Sequence, residues 1–107
     1  MVQVFIKENA WIAKIAAYHL RVPACAIVFR STIYLCGIHR NHFLENTAWV
    51  RHEVCHVQQW KRDGIFLFFF RYVWYSIRFG YRNNPYEIEA REAEKNTTLF
   101  LDVEIIE

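Results

Sequence analysis

The sequence predicts an α+β fold, in which a small β-sheet or hairpin packs on a histidine-bearing helix and on two further helices. Two apolar runs rich in β-branched and aromatic residues, 24–29 and 32–38, predict the strands. Segments of helical periodicity with capping residues at their ends predict the helices. With 107 residues, the chain is expected to form one domain, 1–107, with a modest core.

The first half of the chain is predicted to hold one helix and a hairpin. Residues 10–20 have the periodicity of an amphipathic helix, with Asn9 as the expected N-cap. The two strands follow, and their link at 30–31 lacks the Asn-Gly pattern typical of a tight turn. A polar connector comes next, in which we expect His39 and His42 to be solvated loop residues.

The second half is predicted to be mainly helical. Asn46 or Thr47 caps the first helix and Gly64 ends it, whereas Pro85 occupies the first position of the last helix. The tail, 99–106, is expected to be a strand or an extended segment. The predicted helices are 47–63, 65–79 and a final one that starts after Asn84.

The aromatic segment 65–79 allows more than one interpretation. A helix that crosses a bilayer takes about 20 apolar residues, and this segment is too short and carries Arg71 and Arg78. The two arginines fall on one helical face with Tyr75 between them. We therefore expect a core helix with one solvated stripe. The alternative is a helix that binds a partner or lies at a membrane surface.

Composition excludes several classes of protein. Hydrophobic residues make up 54% of the chain and aromatic residues 18%, which predicts an ordered fold. A net charge of +2 without a basic run argues against nucleic acid as a partner. Three cysteines with no C-x-x-C pair predict no disulfide framework and favour a cytoplasmic location. Residues 1–11 do not resemble a signal peptide, because Lys7 and Glu8 break the apolar run.

The sequence HEVCH within the helix 47–63 has the residue types and spacing of a metal site. His52 and His56 are four residues apart, so both imidazoles can face one ion. Glu53 is rotated by about 100° and can reach a water molecule on that ion. Two nitrogen ligands, a water molecule and a carboxylate base are what metal-assisted hydrolysis requires.

A third protein ligand must come from elsewhere in the chain. Cys55 points away from the histidine pair and is expected to be a buried packing residue. The acidic residues after the aromatic segment are better candidates. Glu87 and Glu89 differ by about 200° around a helix, so only one of them can join the site. Glu92 and Glu94 lie further along and are expected to be solvated.

Two stretches of the sequence, HEVCHVQQW and YRNNPYEIEAREAE, resemble a known group of enzymes. The pattern HExxHxxQ…NPxExEA is similar to that of the gluzincin zinc peptidases and of small bacterial zincin-like domains. The resemblance implies a minimal zincin-like domain that binds Zn²⁺ through His52, His56 and Glu87, with Glu53 as the general base. Arg91 stands where this family often has an aspartate that orients a ligand histidine.

Two functions are therefore predicted from different classes. The first is zinc-dependent hydrolysis of a peptide bond in a peptide or protein substrate. The second is a catalytically inactive metal-binding or interaction module that uses the helix 65–79 as its contact surface. Contact with a membrane surface is a weaker alternative. An exposed aromatic stripe would also suit a homodimer.

Overall fold

The computed structural model describes residues 2–98 and 103–106, which form an α+β fold. The strands are β1 (Val2–Lys7), β2 (Cys25–Phe29), β3 (Thr32–Cys36) and β4 (Val103–Ile106). The helices are α1 (Trp11–Leu20), α2 (Arg40–Glu45), α3 (Thr47–Asp63), α4 (Ile65–Phe79) and α5 (Pro85–Ala93). The predicted fold class is confirmed.

The described strands form one mixed sheet with the order β2-β3-β1-β4. β2 and β3 pair as the predicted antiparallel hairpin, with Phe29 opposite Thr32. Arg30 in the link has φ 58°, so the turn takes a left-handed residue without the usual glycine or asparagine. β1 lies between β3 and β4 and runs parallel to both. This order leaves β2 at one edge of the sheet.

The strand β1 has no counterpart among the predicted elements. Its apolar residues alternate, and Val4 in the middle is fully buried. The alternation of Val2, Val4 and Ile6 was a valid strand signal. Its two partners lie far away in the sequence, so the local pattern alone did not define a sheet. β4 agrees with the predicted terminal strand at 103–106, and the first half of that prediction, 99–102, lies outside the described residues.

The main core lies between the sheet and the helices α2 and α3. Fully or almost fully buried aliphatic and aromatic side chains meet there from both layers. They are Val4, Ile33, Leu35, Phe43, Val50, Val54 and Val57. Because α3 supplies the last three, this packing fixes the helix that carries the histidine pair.

The helices predicted after residue 46 are confirmed, although α5 ends at Ala93 and not at about residue 96 as predicted. The connector before them contains the short helix α2. Asn46 caps α3, since its Oδ1 accepts a hydrogen bond from the Trp49 amide at 3.2 Å. The imidazoles of the connector are solvated as predicted: the His39 side chain is 93% exposed, and His42 is also exposed. The predicted loop was wrong, since both histidines belong to a helix or its cap.

The helix α1 forms as predicted, but it buries its small alanine residues and exposes most of its large apolar ones. Asn9 is not its N-cap: Ala10 holds that position, and Asn9 itself has φ 51°. The buried residues are Ala13 and Ala17, whereas Trp11 is 72% exposed. α1 lies against β2 and β3, where the small alanine side chains allow close approach. The larger apolar side chains remain on the outside.

The helix α4 is not the core helix that the sequence predicted. All its residues are described, and Phe68 is the one that is buried. Phe68 packs with Trp60 and Tyr86 in a small second cluster. Among the described residues, no helix is long and apolar enough to cross a membrane.

Candidate metal centre

The helix α3 presents two imidazoles on one face. His52 and His56 are one turn apart, and their ring centroids lie 5.1 Å from each other. Further along α3, Nε1 of Trp60 donates a hydrogen bond to the carbonyl oxygen of Val28 at 3.2 Å. This bond ties α3 to the edge strand β2, so the imidazole face lies beside the sheet edge.

Asn84 positions the start of α5 against α4. Asn84 is fully buried, and its Oδ1 accepts a hydrogen bond from the Tyr86 amide at 2.9 Å, as an N-cap residue does. Its Nδ2 donates to the carbonyl oxygen of Tyr72 and to Oγ of Ser76, both at 3.0 Å. Glu87 follows within the first turn of α5 and therefore faces inward from a fixed helix end.

The carboxylate of Glu87 meets both imidazoles. Its Oε1 lies 3.1 Å from Nε2 of His52 and 3.3 Å from Nε2 of His56. In the described part of the chain, these three side chains form a group whose ligand atoms all lie within 4.8 Å of one another. Ligand atoms of a tetrahedral zinc site are separated by about 3.3 Å, given bond lengths of about 2.0–2.1 Å. The two distances from Glu87 to the imidazoles match this separation, so the group could hold one metal ion.

The other nitrogen of each imidazole is occupied. Nδ1 of His52 donates to Oε2 of Glu94 at 2.9 Å, and Nδ1 of His56 donates to Oε1 of Gln59 at 2.8 Å. The Gln59 amide is oriented by its nitrogen, which donates to Oε1 of Glu89 at 2.7 Å. With both Nδ1 atoms acting as donors, Nε2 of each ring is the atom that can bind a metal.

The sequence left open whether Glu87 or Glu89 joins the two histidines, and the structure places the two carboxylates differently. Glu87 faces the imidazoles, whereas Glu89 lies outside the group. The carboxylate of Glu89 accepts hydrogen bonds from Gln59 and, at 3.2 Å, from Nη1 of Arg62. Glu89 therefore supports the glutamine that orients His56 and does not reach the metal position itself.

Glu94 performs the orienting role for which the sequence offered no residue. Arg91 donates a hydrogen bond to the carbonyl oxygen of Arg82 and so braces the turn before α5. Glu94 contacts His52 instead, and although its side chain is 37% exposed, it is not the purely solvated residue that the sequence predicted. Its spacing could have identified it, because Glu94 is two helical turns after Glu87 on the same face.

Tyr72 is a further site residue that sequence reasoning missed. Its hydroxyl donates to Oε2 of Glu87 at 2.5 Å and so fixes the carboxylate, whose Oε1 lies 3.1 Å from Nε2 of His52 and whose Oε2 lies 3.2 Å from Nε2 of His56. This contact depends on how α4 and α5 meet, so no local pattern signals it. Tyr81, which follows α4, lines the same cavity. Partial burial and the negative charge of Glu87 raise the pKa of Tyr81, so its hydroxyl remains a donor.

Glu53 is buried beside the group without belonging to it. The side chain is 6% exposed, and it lines the same cavity as the two histidines. Burial raises the pKa of Glu53 to about 7, although the neighbouring His56 and His52 lower it. A carboxyl group with a pKa near 7 can both accept and return a proton at neutral pH.

The arrangement of His52, His56 and Glu87 stabilises a positive charge on or between the two imidazoles. Burial lowers the pKa of His52, but hydrogen bonding to Glu87 and the charge of Glu53 outweigh burial and raise it to about 9. Burial raises the pKa of Glu87, but the hydrogen bonds from His52 and His56 outweigh it and hold that pKa well below the usual range. A metal cation at Nε2 would replace the protons that these imidazoles otherwise hold.

A cavity of about 400 Å³ opens onto His52, His56 and Glu87. Its walls come from the edge strand β2, from α1 and from α4, and they are mainly apolar. Wall residues include Ile12, Ala26, Val28, Phe69 and Val73. The ligands and Glu53 form the polar end of an otherwise apolar space.

The three cysteines are all free, and none belongs to the metal group. Cys55 is buried as predicted, and burial raises its pKa to about 12. Its Sγ accepts a weak hydrogen bond from Gln59 at 3.7 Å. A thiol with so high a pKa is not a thiolate ligand or nucleophile at neutral pH. Cys25 is also buried, and Cys36 is half-buried.

Comparisons of the chain with models of protein families, with curated proteins and with solved structures found no match.

Proposed function

We propose that this protein is a minimal zincin-like peptidase of the gluzincin type, which hydrolyses peptide bonds with the help of a bound zinc ion. One observation supports this most directly. One oxygen of Glu87 lies 3.1 Å from Nε2 of His52 and 3.3 Å from Nε2 of His56, while both Nδ1 atoms are held by other side chains. Such an arrangement of ligands and orienting partners is typical of a metal centre.

The donor set favours zinc among the common metals. Two imidazole nitrogens and one carboxylate oxygen are the ligands of many catalytic zinc sites, which keep a fourth position for water or substrate. Magnesium and calcium prefer sites built from oxygen ligands. Bound there, zinc would polarise a peptide carbonyl and lower the pKa of a water molecule.

Glu53 is the residue proposed to move the proton. Its carboxylate lies beside the ligands in the cavity and has a pKa raised by burial to about 7. In the hydrolysis, Glu53 takes a proton from the attacking water and returns it to the amine that leaves. The hydroxyl of Tyr81, a protonated donor on the cavity wall, is placed to bind the oxygen of the carbonyl under attack.

The substrate is proposed to be a peptide or protein with an apolar side chain next to the bond that is cleaved. The cavity beside the ligands has space for such a side chain and is walled by apolar residues of β2, α1 and α4. The free cysteines are compatible with the cytoplasmic location that the sequence favours.

A second function is supported by a different observation. The outer face of α4 is aromatic and exposed, with Phe66 at 79% and Trp74 at 60% exposure. A zincin-like module that binds metal without catalysing hydrolysis could use this face to bind a partner.

Substitution of Glu53 distinguishes these two functions. Zinc content and cleavage of a complex peptide mixture, followed by mass spectrometry, would be measured for the zinc-loaded protein. For Glu53→Gln we expect full zinc content and a rate lower by about 10²–10⁴-fold. Glu45→Gln, a change at an exposed glutamate of α2, is the matched control and should leave both unchanged.

The outcomes of this experiment separate the candidates. Cleavage by the wild type and by Glu45→Gln, but not by Glu53→Gln, supports the peptidase. Stoichiometric zinc without cleavage in any of the three proteins favours the interaction module. A wild-type protein that binds no zinc contradicts both.

A further inference from the structure

The outer face of α4 is apolar over its whole length. Six side chains on this face are between 39% and 79% exposed, and they fall within an arc opposite Phe68, the buried residue of the helix. They are Phe66, Phe69, Phe70, Val73, Trp74 and Ile77. A soluble helix normally directs its polar residues outward, and α4 does the reverse.

The helix α1 shows the same inversion. Trp11, Ile15 and Tyr18 follow one another at helical spacing and are 72%, 50% and 80% exposed. The residues that α1 buries are Ala13 and Ala17. Two helices of this chain therefore place their large apolar side chains outward.

The two helices border the same opening. Ile12 and Leu20 of α1 and Phe69 and Val73 of α4 all line the cavity that leads to the metal ligands. Leu20 is 65% exposed and Phe69 is 53% exposed, so the cavity wall continues into the outer surface. We call the exposed apolar residues of α1 and α4 together the docking face.

The two segments that carry the docking face contain cations and no acidic residue. All 11 acidic residues lie outside the two segments 10–22 and 64–82. Lys14 and Arg21 belong to the first segment, and Arg71, Arg78 and Arg82 belong to the second. All five cations are exposed. The two segments thus combine aromatic side chains with cations, and the nearby carboxylates come from other elements: Asp63 and Glu89 beside Arg71, and Glu53 and Glu87 inside the cavity.

The position of Arg78 on α4 fits an interface between lipid and water. Arg71 is three residues before Trp74 and Arg78 is four residues after it, so both lie on the strip beside the aromatic arc. The long side chain of Arg78 can extend from such a strip to the lipid headgroups while the aromatic rings enter the interface. Arg71 instead lies in a pocket with Asp63 and Tyr86.

We propose that the docking face binds the surface of an anionic lipid bilayer. The complementary charge favours this occupant over a second copy of the chain, because a symmetric dimer through this face would bring like cations together. α4 has 15 residues, fewer than the about 20 needed to cross a bilayer, so it lies along the interface. The proposal does not rest on peptidase activity, because it depends on the outer surfaces of α1 and α4 alone.

Binding in this orientation would place the cavity opening at the bilayer. Peptide segments held at the membrane surface would then reach the cavity without leaving the interface. This consequence links the docking face to the candidate metal centre through shared wall residues, Leu20 and Phe69.

The first test compares two double charge reversals that alter net charge equally. The full chain and its variants would be sedimented with vesicles of phosphatidylcholine, with or without phosphatidylglycerol. Lys14→Glu/Arg78→Glu removes two cations beside the docking face, and Lys61→Glu/Lys95→Glu removes two exposed cations elsewhere. We expect binding to the anionic vesicles, weakened by about tenfold or more in the first variant and far less in the second.

The second test shows whether side chains enter the lipid. Trp11 and Trp74 lie on the docking face, whereas Trp60 is 7% exposed and Trp49 is half-buried. Vesicles with brominated acyl chains should quench the fluorescence of the wild type. Trp11→Phe/Trp74→Phe should abolish most of the quenching while the protein still sediments with the vesicles.

Several results would overturn the proposal. They are failure of the wild type to sediment with anionic vesicles, equal weakening by both charge reversals, and sedimentation without quenching. A stable dimer that Phe66→Glu/Ile77→Glu dissociates would assign the face to a second copy instead. None of these results depends on zinc or on cleavage, so the peptidase proposal stands or fails separately.

Discussion

Gln59 accepts a hydrogen bond from Nδ1 of His56 at 2.8 Å and donates one to Glu89 at 2.7 Å. One amide thus links the imidazole on α3 to a carboxylate on α5. We expect Gln59→Ala to weaken zinc binding by about 10–100-fold, because His56 would lose the partner that fixes its ring. A competition titration against a zinc-binding dye would measure this.

The neighbouring glutamine provides the control. Gln58→Ala changes a half-buried residue of the same type, which is outside the metal group, and should leave zinc affinity unchanged. Equal affinities for the Gln59→Ala protein and the wild type would show that this hydrogen bond does not support the site.

The two glutamates at the start of α5 should respond differently to substitution. Glu87→Gln removes the proposed carboxylate ligand, and we expect loss of stoichiometric zinc binding at micromolar metal. Glu89→Gln should retain zinc, because Glu89 faces Gln59 and Arg62. Zinc content after dialysis would be measured for both proteins. If Glu89→Gln lost zinc and Glu87→Gln retained it, the ligand would be Glu89 and the assignment of Glu87 would be wrong.

Asp63, at the end of α3, should make stability depend on pH. Its Oδ2 accepts a hydrogen bond from the Tyr86 hydroxyl at 2.5 Å, and this bond, with Arg62, lowers the pKa of Asp63. Because the folded-state pKa is lowered, the stabilisation is present above the unfolded value of about 3.9 and is lost as pH falls through the folded value. We expect Tyr86→Phe to cost about 1–3 kcal/mol at neutral pH.

Urea unfolding at a series of pH values would test this. The difference in unfolding free energy between the wild type and Tyr86→Phe should shrink as the pH falls below about 4. Asp63→Asn in both backgrounds completes a double-mutant cycle. A difference that stays constant across the whole pH range would show that Asp63 is not the responsible group.

Gly37 is required by a close approach of two backbone segments. Its φ is +77°, and a Cβ at this position would lie 2.0 Å from the carbonyl oxygen of Pro23. We therefore expect Gly37→Ala to cost more than about 4 kcal/mol of unfolding free energy. Gly80→Ala is the control, since Gly80 has φ +83° but nothing within 4 Å of the Cβ position. It should cost about 1–3 kcal/mol from backbone strain alone.

Urea unfolding followed by circular dichroism would compare the two alanine variants. Similar losses of stability for both would mean that the contact with Pro23 relaxes at little cost.

Local periodicity made the helical part of the fold predictable. Gly64 and Gly80 end α3 and α4 where the sequence indicated, and Asn46 and Asn84 cap the helices that follow them. β1 escaped prediction because its stability comes from parallel pairing with two distant strands. The burial of α4 was predicted wrongly. The sequence pattern of an apolar helix is the same whether its wide apolar face packs on a core or is exposed to solvent.

By itself, the sequence determined that His52 and His56 share one face and that Glu53 lies beside them, because helical geometry repeats every few residues. Only the tertiary structure decided that Glu87, and not Glu89, meets those imidazoles, and that Glu94 and Tyr72 hold the arrangement in place. The physical reason is one of range. Spacing along one helix is a local property, whereas the meeting of α3, α4 and α5 depends on how their surfaces pack.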